Sequence, residues 1–245
     1  TVPNTLTSAL LQEKKQIAAG RSTGNFAFYL GASNDNLESI KALNPKDACG
    51  IKVFMGASTG NMLVDDPEIL EQIFTHAPTI IAAHCEDTPT IIENEESYRS
   101  IYGDNIPFNL HPIIRSEEAC YKSSSLAIEL AKRCGTRLHI LHISTAKEAE
   151  MFADIALSDK RITAEACVHF LHFSDEDYAT KGALIKCNPA IKTAEDRAGI
   201  IQALLDGRLD VIGTDHAPHT WQEKQNGSYF KAPSGLPLVQ HALQT

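Results

Sequence analysis

Leu138-His139-Ile140-Leu141-His142-Ile143-Ser144-Thr145 is the stretch on which the fold turns. An apolar run closes on polar, metal-competent residues. Ser144 or Thr145 then caps a helix predicted over 146–156. The same strand-then-helix unit recurs along the chain. Apolar runs at 26–30, 51–55, 79–83, 162–167 and 209–212 lead into Gly31, Gly56, His84, His169 and Gly213-Thr214-Asp215. Helical spacing is predicted over 8–19, 35–43, 67–75, 123–134 and 194–205, with Gly207 as the last helix's stop.

Strands alternating with helices imply parallel βα units, because a parallel pair needs a long crossover. The strands are nearly continuous apolar runs, as expected when both faces are covered. An open doubly wound sheet and a closed (β/α)8 barrel both fit. No glycine-rich phosphate loop follows any strand, which lowers the nucleotide-binding version. Polar residues at the C-terminal ends of several strands favour the TIM-type barrel, whose chemistry is built there. The expected organisation is a single catalytic barrel domain over 1–245. Two segments break the rhythm: 86–118, polar with Pro107 and Pro112, reads as a loop excursion with a short helix, and 221–237 as a loop over the site.

The 245 residues are enough for one large, well-buried core. A net charge of -9 argues against a nucleic-acid partner. No long apolar run suggests a membrane span, and no basic-then-apolar leader opens the chain. The six cysteines are scattered without a CxxC pair, which fits buried thiols in a reducing cytoplasm better than a disulfide framework.

Four strand ends hold metal-ligand residue types: Lys52, His84, His142 and Asp215. A lone strand-end histidine is more often structural. One such residue per βα unit, at one end of a barrel, shifts the balance. Period-2 alternation puts Leu138, Ile140 and His142 on one face and His139 on the other, so His142 is the better ligand. Asp215 could simply cap a helix, but it opens the dense cluster Asp215-His216-Ala217-Pro218-His219. Lys52 stands inside an apolar strand, where a charged amine is costly. The bland reading is a snorkelling or ion-paired lysine. The sharper one is that burial favours the neutral amine, which can add carbon dioxide to form a carbamate able to bridge two cations. His169 and His172 read as structural, Arg115 and Lys122 as surface charges, and Glu86 as a residue that orients a neighbour.

With these residues in view, the sequence resembles dihydroorotases, within the amidohydrolase superfamily. The resemblance runs through Pro3-Asn4-Thr5, the Lys52 strand, Ala83 to Asp87, His142 to Thr145 and Thr163 to His169. It continues with Cys187-Asn188-Pro189, Gly213 to His219, and Phe230 to Pro237, and so spans essentially the whole chain. Asp-His-Ala-Pro-His followed by Thr220 and Glu223-Lys224 is its most specific piece. Hydantoinases and dihydropyrimidinases resemble it but usually carry Cys-Pro-Phe after the Asp-His.

The resemblance implies two zinc ions bridged by a carboxylated Lys52, with His84 and His142 on the second zinc. It implies Asp215 on the first zinc and as catalytic acid/base. Asn4, Asn188 and His219 match substrate-contact positions, and backbone near 233–235 would help hold a pyrimidine ring. Glu165 matches a position near an additional metal in some relatives. The family's first strand ends in a His-x-His pair, which this sequence does not contain. The expectation is therefore a barrel lacking its first strand and its C-terminal end, and so lacking part of the first zinc's coordination when taken by itself. The implied reaction interconverts dihydroorotate and N-carbamoyl-L-aspartate in pyrimidine biosynthesis. The implied setting is a cytoplasmic enzyme with a small-molecule substrate and a possible homo-oligomeric state. The alternatives are a hydantoinase, dihydropyrimidinase or allantoinase type of cyclic amidase, and a catalytically inactive dihydroorotase-like scaffold subunit.

Overall fold

The computed structural model describes residues 3–56, 62–225 and 227–244. Among them are six short strands: β1 (Tyr29–Gly31), β2 (Gly50–Phe54), β3 (Ile81–His84), β4 (Leu138–Ile140), β5 (Ile162–Cys167) and β6 (Val211–Gly213). The chain divides into two compact units, Thr1–Cys85 with Leu126–Ile140, and Glu86–Ser125 with Leu141–Thr245. Among the described residues no helix is long and apolar enough to cross a membrane.

The first unit holds β1 to β4, each parallel to the next. Leu30, Ile51, Val53, Ile81 and Leu138 are fully buried, each such side chain stabilising the fold by ~1.5–3 kcal/mol. The helix Pro67–His76 starts where its sequence says it must. Asp66 accepts the Glu68 and Ile69 amides, and Pro67 occupies the first turn, where no amide partner is needed. Leu70, Ile73 and Phe74 form its buried face. The Phe74 carbonyl accepts the Thr136 hydroxyl and so ties this helix to the approach to β4.

The second unit holds the parallel pair β5 and β6. The helix Ala194–Leu205 spans the predicted residues, fixed by a reciprocal cap between Thr193 and Asp196. Lys160 and Asp210 form a buried ion pair at 2.7 Å that anchors the entry to β6. The Lys160 ammonium also donates to the Gly207 and Arg208 carbonyls, and Asp210 accepts the Ala164 amide. Val211 and Ile212 of β6 are 42% and 60% exposed in this chain.

Two expectations are corrected in this unit. The 86–118 excursion is mainly helical, with helices at Thr88–Tyr102 and His111–Ile114 and a third that begins at Glu117. Asp87 caps the first by accepting the Thr90 amide, and Pro89 and Pro112 sit in first turns, where proline is tolerated. Only Ile91 of Thr88–Tyr102 is buried. It packs with Ile106, Ile114, Ala119 and Tyr229. The helix after β4 is also shorter than predicted, at Ala146–Ala149.

Candidate functional site

In the first unit, Lys52 lies on β2 and His84 ends β3. Cross-strand register pairs Lys52 with Ala82 and Phe54 with His84. Partners in register point to the same side, and side chains repeat every second residue. Lys52, Phe54 and His84 therefore share one face. The Lys52 ammonium lies 4.4 Å from the centre of the Phe54 ring, whose centre is 5.7 Å from that of His84. Lys52 is half-buried, and His84 is 4% exposed. Asn4 stands in a segment fastened to the end of β1. The Gly31 amide donates to the Thr5 carbonyl at 2.7 Å, and the Asn36 amide group donates to the Leu6 and Gly31 carbonyls.

The strand at 138–143 is shorter than its apolar run predicts. β4 ends at Ile140, and the backbone at His142 is left-handed, with φ 42°. Alternation therefore stops before His142. His139 is the histidine in register with Ala82, hence on the face of Lys52 and His84.

In the second unit, His142 and Asp215 share an unusual backbone. Asp215 has φ 44°, and these two are the non-glycine residues with positive φ among the described residues. Such conformations cost energy and concentrate where a site imposes them. Glu165 of β5 links the two segments. Its carboxylate accepts the His142 amide at 3.3 Å, and its carbonyl accepts the Ile143 amide at 2.8 Å. Gly213 lies against it so closely that a β-carbon there would stand 3.0 Å from the carboxylate. Burial, followed by the Glu165 and Asp215 charges, pushes the Cys167 thiol far up, so Cys167 is a neutral neighbour of Asp215.

The stretch from Asp215 to His219 is seated on the loop that follows. The Ala217 amide donates to the Leu236 carbonyl at 3.0 Å. The His216 ring accepts the Leu238 and Val239 amides through Nδ1. His219 Nε2 donates to the Ser234 carbonyl at 3.3 Å. The Asn188 side-chain oxygen is buried without a hydrogen-bond partner among the described residues.

A buried polar group supports the Asn188 segment. His111 is fully buried, with Nε2 2.8 Å from the Cys187 carbonyl and Nδ1 2.8 Å from the Tyr229 hydroxyl. Burial, reinforced by the Arg115 charge, holds the ring well below its ordinary pKa. A carbonyl only accepts, so Nε2 donates to it, and the neutral ring accepts the Tyr229 hydroxyl at Nδ1. Arg115, expected at the surface, instead pairs with the fully buried Glu86. Lys186 has no signal in the sequence, and Lys224 is marked there only as part of the motif that follows His219. Both are buried, and burial lowers each ammonium to about 8.

The donor set suits zinc, which takes imidazole and carboxylate, and a lysine carbamate would supply further oxygens. Lys52 and His84 lie in the first unit, His142 and Asp215 in the second. Among the described residues no group of three or more His, Cys, Asp and Glu side chains is gathered closely enough to hold a metal ion.

No family model matches the sequence. An allantoinase of Bacillus velezensis is 29% identical over 99% of this chain and 54% of its own length. A dihydroorotase of Halalkalibacterium halodurans is 37% identical over 64% of this chain and 35% of its own. Among solved structures, the L-hydantoinase (dihydropyrimidinase) of Arthrobacter aurescens superposes with a TM-score of 0.85 at 25% identity, covering 94% of this chain and 52% of that one. The chain spans about half the length of the curated relatives it matches along its whole length. Its fold class is α/β, that of the TIM-barrel amidohydrolases. These likenesses support a place in the amidohydrolase superfamily, among its cyclic amidases. Within that class its sequence relatives are dihydroorotases and allantoinases, and its structural neighbours include hydantoinases.

Proposed function

We propose that the protein carrying this chain hydrolyses a cyclic amide, and that its substrate is dihydroorotate, with N-carbamoyl-L-aspartate as the product of ring opening. One observation carries the reading. Asp215 and His219 stand at the two ends of a short stretch pinned to the 234–236 backbone. A carboxylate and a partly exposed imidazole thereby belong to one anchored stretch. Asp215 takes a proton from the attacking water and delivers it to the leaving ring nitrogen. His219 and Asn188 receive the ring and its carboxylate, turning binding into positioning. That carboxylate is what separates dihydroorotate from hydantoin or allantoin, and an imidazole at His219 suits it. Lys52, His84, His142 and Asp215 are the proposed metal ligands. Bound zinc would supply hydroxide near neutral pH and polarise the attacked carbonyl.

Allantoin is the second reading, favoured by the allantoinase relative that aligns over 99% of this chain. Steady-state kinetics of the full-length protein decide between them. The expected result is kcat/KM for dihydroorotate at least about a hundredfold above that for allantoin or hydantoin, well within the roughly 10,000-fold that a site built to bond one polar group can reach. Equal or reversed preference overturns the dihydroorotate reading. Absence of turnover on all three overturns the cyclic amidase.

A further inference from the structure

Thr220 and Glu223-Lys224 follow the Asp215 to His219 stretch without a role in the chemistry above. Their geometry explains the spacing. The Thr220 hydroxyl and amide donate to the Glu223 carboxylate, and the Thr220 oxygen accepts the Glu223 amide. This reciprocal cap winds one turn of helix, Trp221–Lys224, and leaves Lys224 at its end, 4% exposed. The Lys224 ammonium donates to the Lys186 carbonyl at 3.0 Å and the Pro233 carbonyl at 2.9 Å.

Lys186 repeats the arrangement from the other side. It is 7% exposed, and its ammonium donates to the Tyr229 carbonyl at 2.6 Å and the Ala232 carbonyl at 2.8 Å. It also stands 4.5 Å over the Tyr229 ring. Its own carbonyl accepts the Gly235 amide at 2.9 Å as well as Lys224. Neither lysine forms an ion pair with a carboxylate among the described residues. Two buried ammonium groups held by carbonyl dipoles and one aromatic face, without a paired carboxylate, are an expensive way to stabilise a fold. What they accomplish is local. They lock the 229–235 loop to the segment just before Asn188 and to the turn just after His219. Gly235 completes the fit: at φ 144° its β-carbon would stand 2.5 Å from the Ala217 carbonyl and 3.2 Å from His219 Nε2.

We propose that Lys224, acting with Lys186, is a positioning residue that sets the separation of Asn188, His219 and the 233–235 backbone, and thereby the affinity for the ring substrate. The inference rests on the cyclic-amidase reading of that pocket. Lys224 touches no reacting atom, so its loss weakens ground-state and transition-state binding alike.

The test uses the full-length protein and Lys224→Met, with Lys224→Gln carrying the same measurements should the methionine variant not fold. The expected result is a KM for dihydroorotate raised at least about tenfold, with kcat within about threefold of the parent. In parallel, amide exchange at Gly235 should accelerate at least about tenfold while the β5 amides keep their protection. An active parent whose KM is indifferent to the substitution overturns the positioning role alone. Exchange that rises equally in β5 reduces Lys224 to a general stability element and overturns it too. A parent that turns over no cyclic amide sinks the functional reading and this role with it.

Discussion

Acid should loosen this protein through one buried imidazole. His169 is 1% exposed, and among the described residues neither ring nitrogen has a hydrogen-bond partner. Burial lowers its pKa to about 3, against ~6.5 for a free imidazole. The folded chain keeps the ring neutral where the unfolded chain would protonate it. The stability it permits is complete above the unfolded value and is lost as pH falls from ~6.5 toward about 3. Between pH 7 and pH 5 the loss is about 2 kcal/mol, reaching about 4 kcal/mol at pH 3. With an m-value of about 2 kcal/mol/M, the urea midpoint should drop by about 1 M on going to pH 5 from this residue alone. His111 is also held neutral and adds a loss of the same sign, so the parent's total drop is larger. His169→Phe isolates the term. The variant should be at least as stable as the parent at pH 7, since an unpartnered buried imidazole gains nothing from its nitrogens. Its midpoint should fall about 1 M less than the parent's between pH 7 and pH 5. Parallel falls in parent and variant would refute the reasoning, because the ring would then be gaining its proton in both states.

Asp215→Asn keeps the shape and the tolerance for left-handed backbone at φ 44°, so the full-length variant should fold normally while kcat falls by at least about a hundredfold. Retained turnover would remove Asp215 from proton transfer. Lys52→Ala should lose bound metal as well as activity, with partial rescue by short carboxylic acids; metal analysis showing full content would contradict the proposed bridge. Lys160→Met leaves Asp210 buried without its counter-ion and should cost about 3–5 kcal/mol in urea unfolding. A cost under about 1 kcal/mol would mean that the pair is solvated in solution.

Much of the architecture was legible because its signals are local. Ser8–Ala19, Ala194–Leu205 and Ile162–Cys167 match the predicted bounds residue for residue. Both helices begin at a threonine whose oxygen accepts an amide of the first turn, a bond made within a few residues of sequence. The strand was legible as an apolar run of the right length. Thr88–Tyr102 was not: 86–118 reads as loop from its polarity and its prolines, yet Pro112, like Pro89, sits in the first turn of a helix, where proline is tolerated.

The sequence alone determined which residue types stand at the strand ends, that the strands alternate with helices, and which hydrolase class the motifs resemble. Tertiary structure alone decided which way several of those side chains serve. The chain leaves β4 at Ile140 and turns left-handed at His142, so a parity argument valid inside a strand could not reach that residue. Arg115 reads as a surface charge in the sequence, and nothing there marks Lys186 or Lys224 as buried. Their burial depends on a carboxylate 29 residues away and on carbonyls 9 to 46 residues away. A charge enters an interior only when folding delivers its partners, and no local pattern records that delivery.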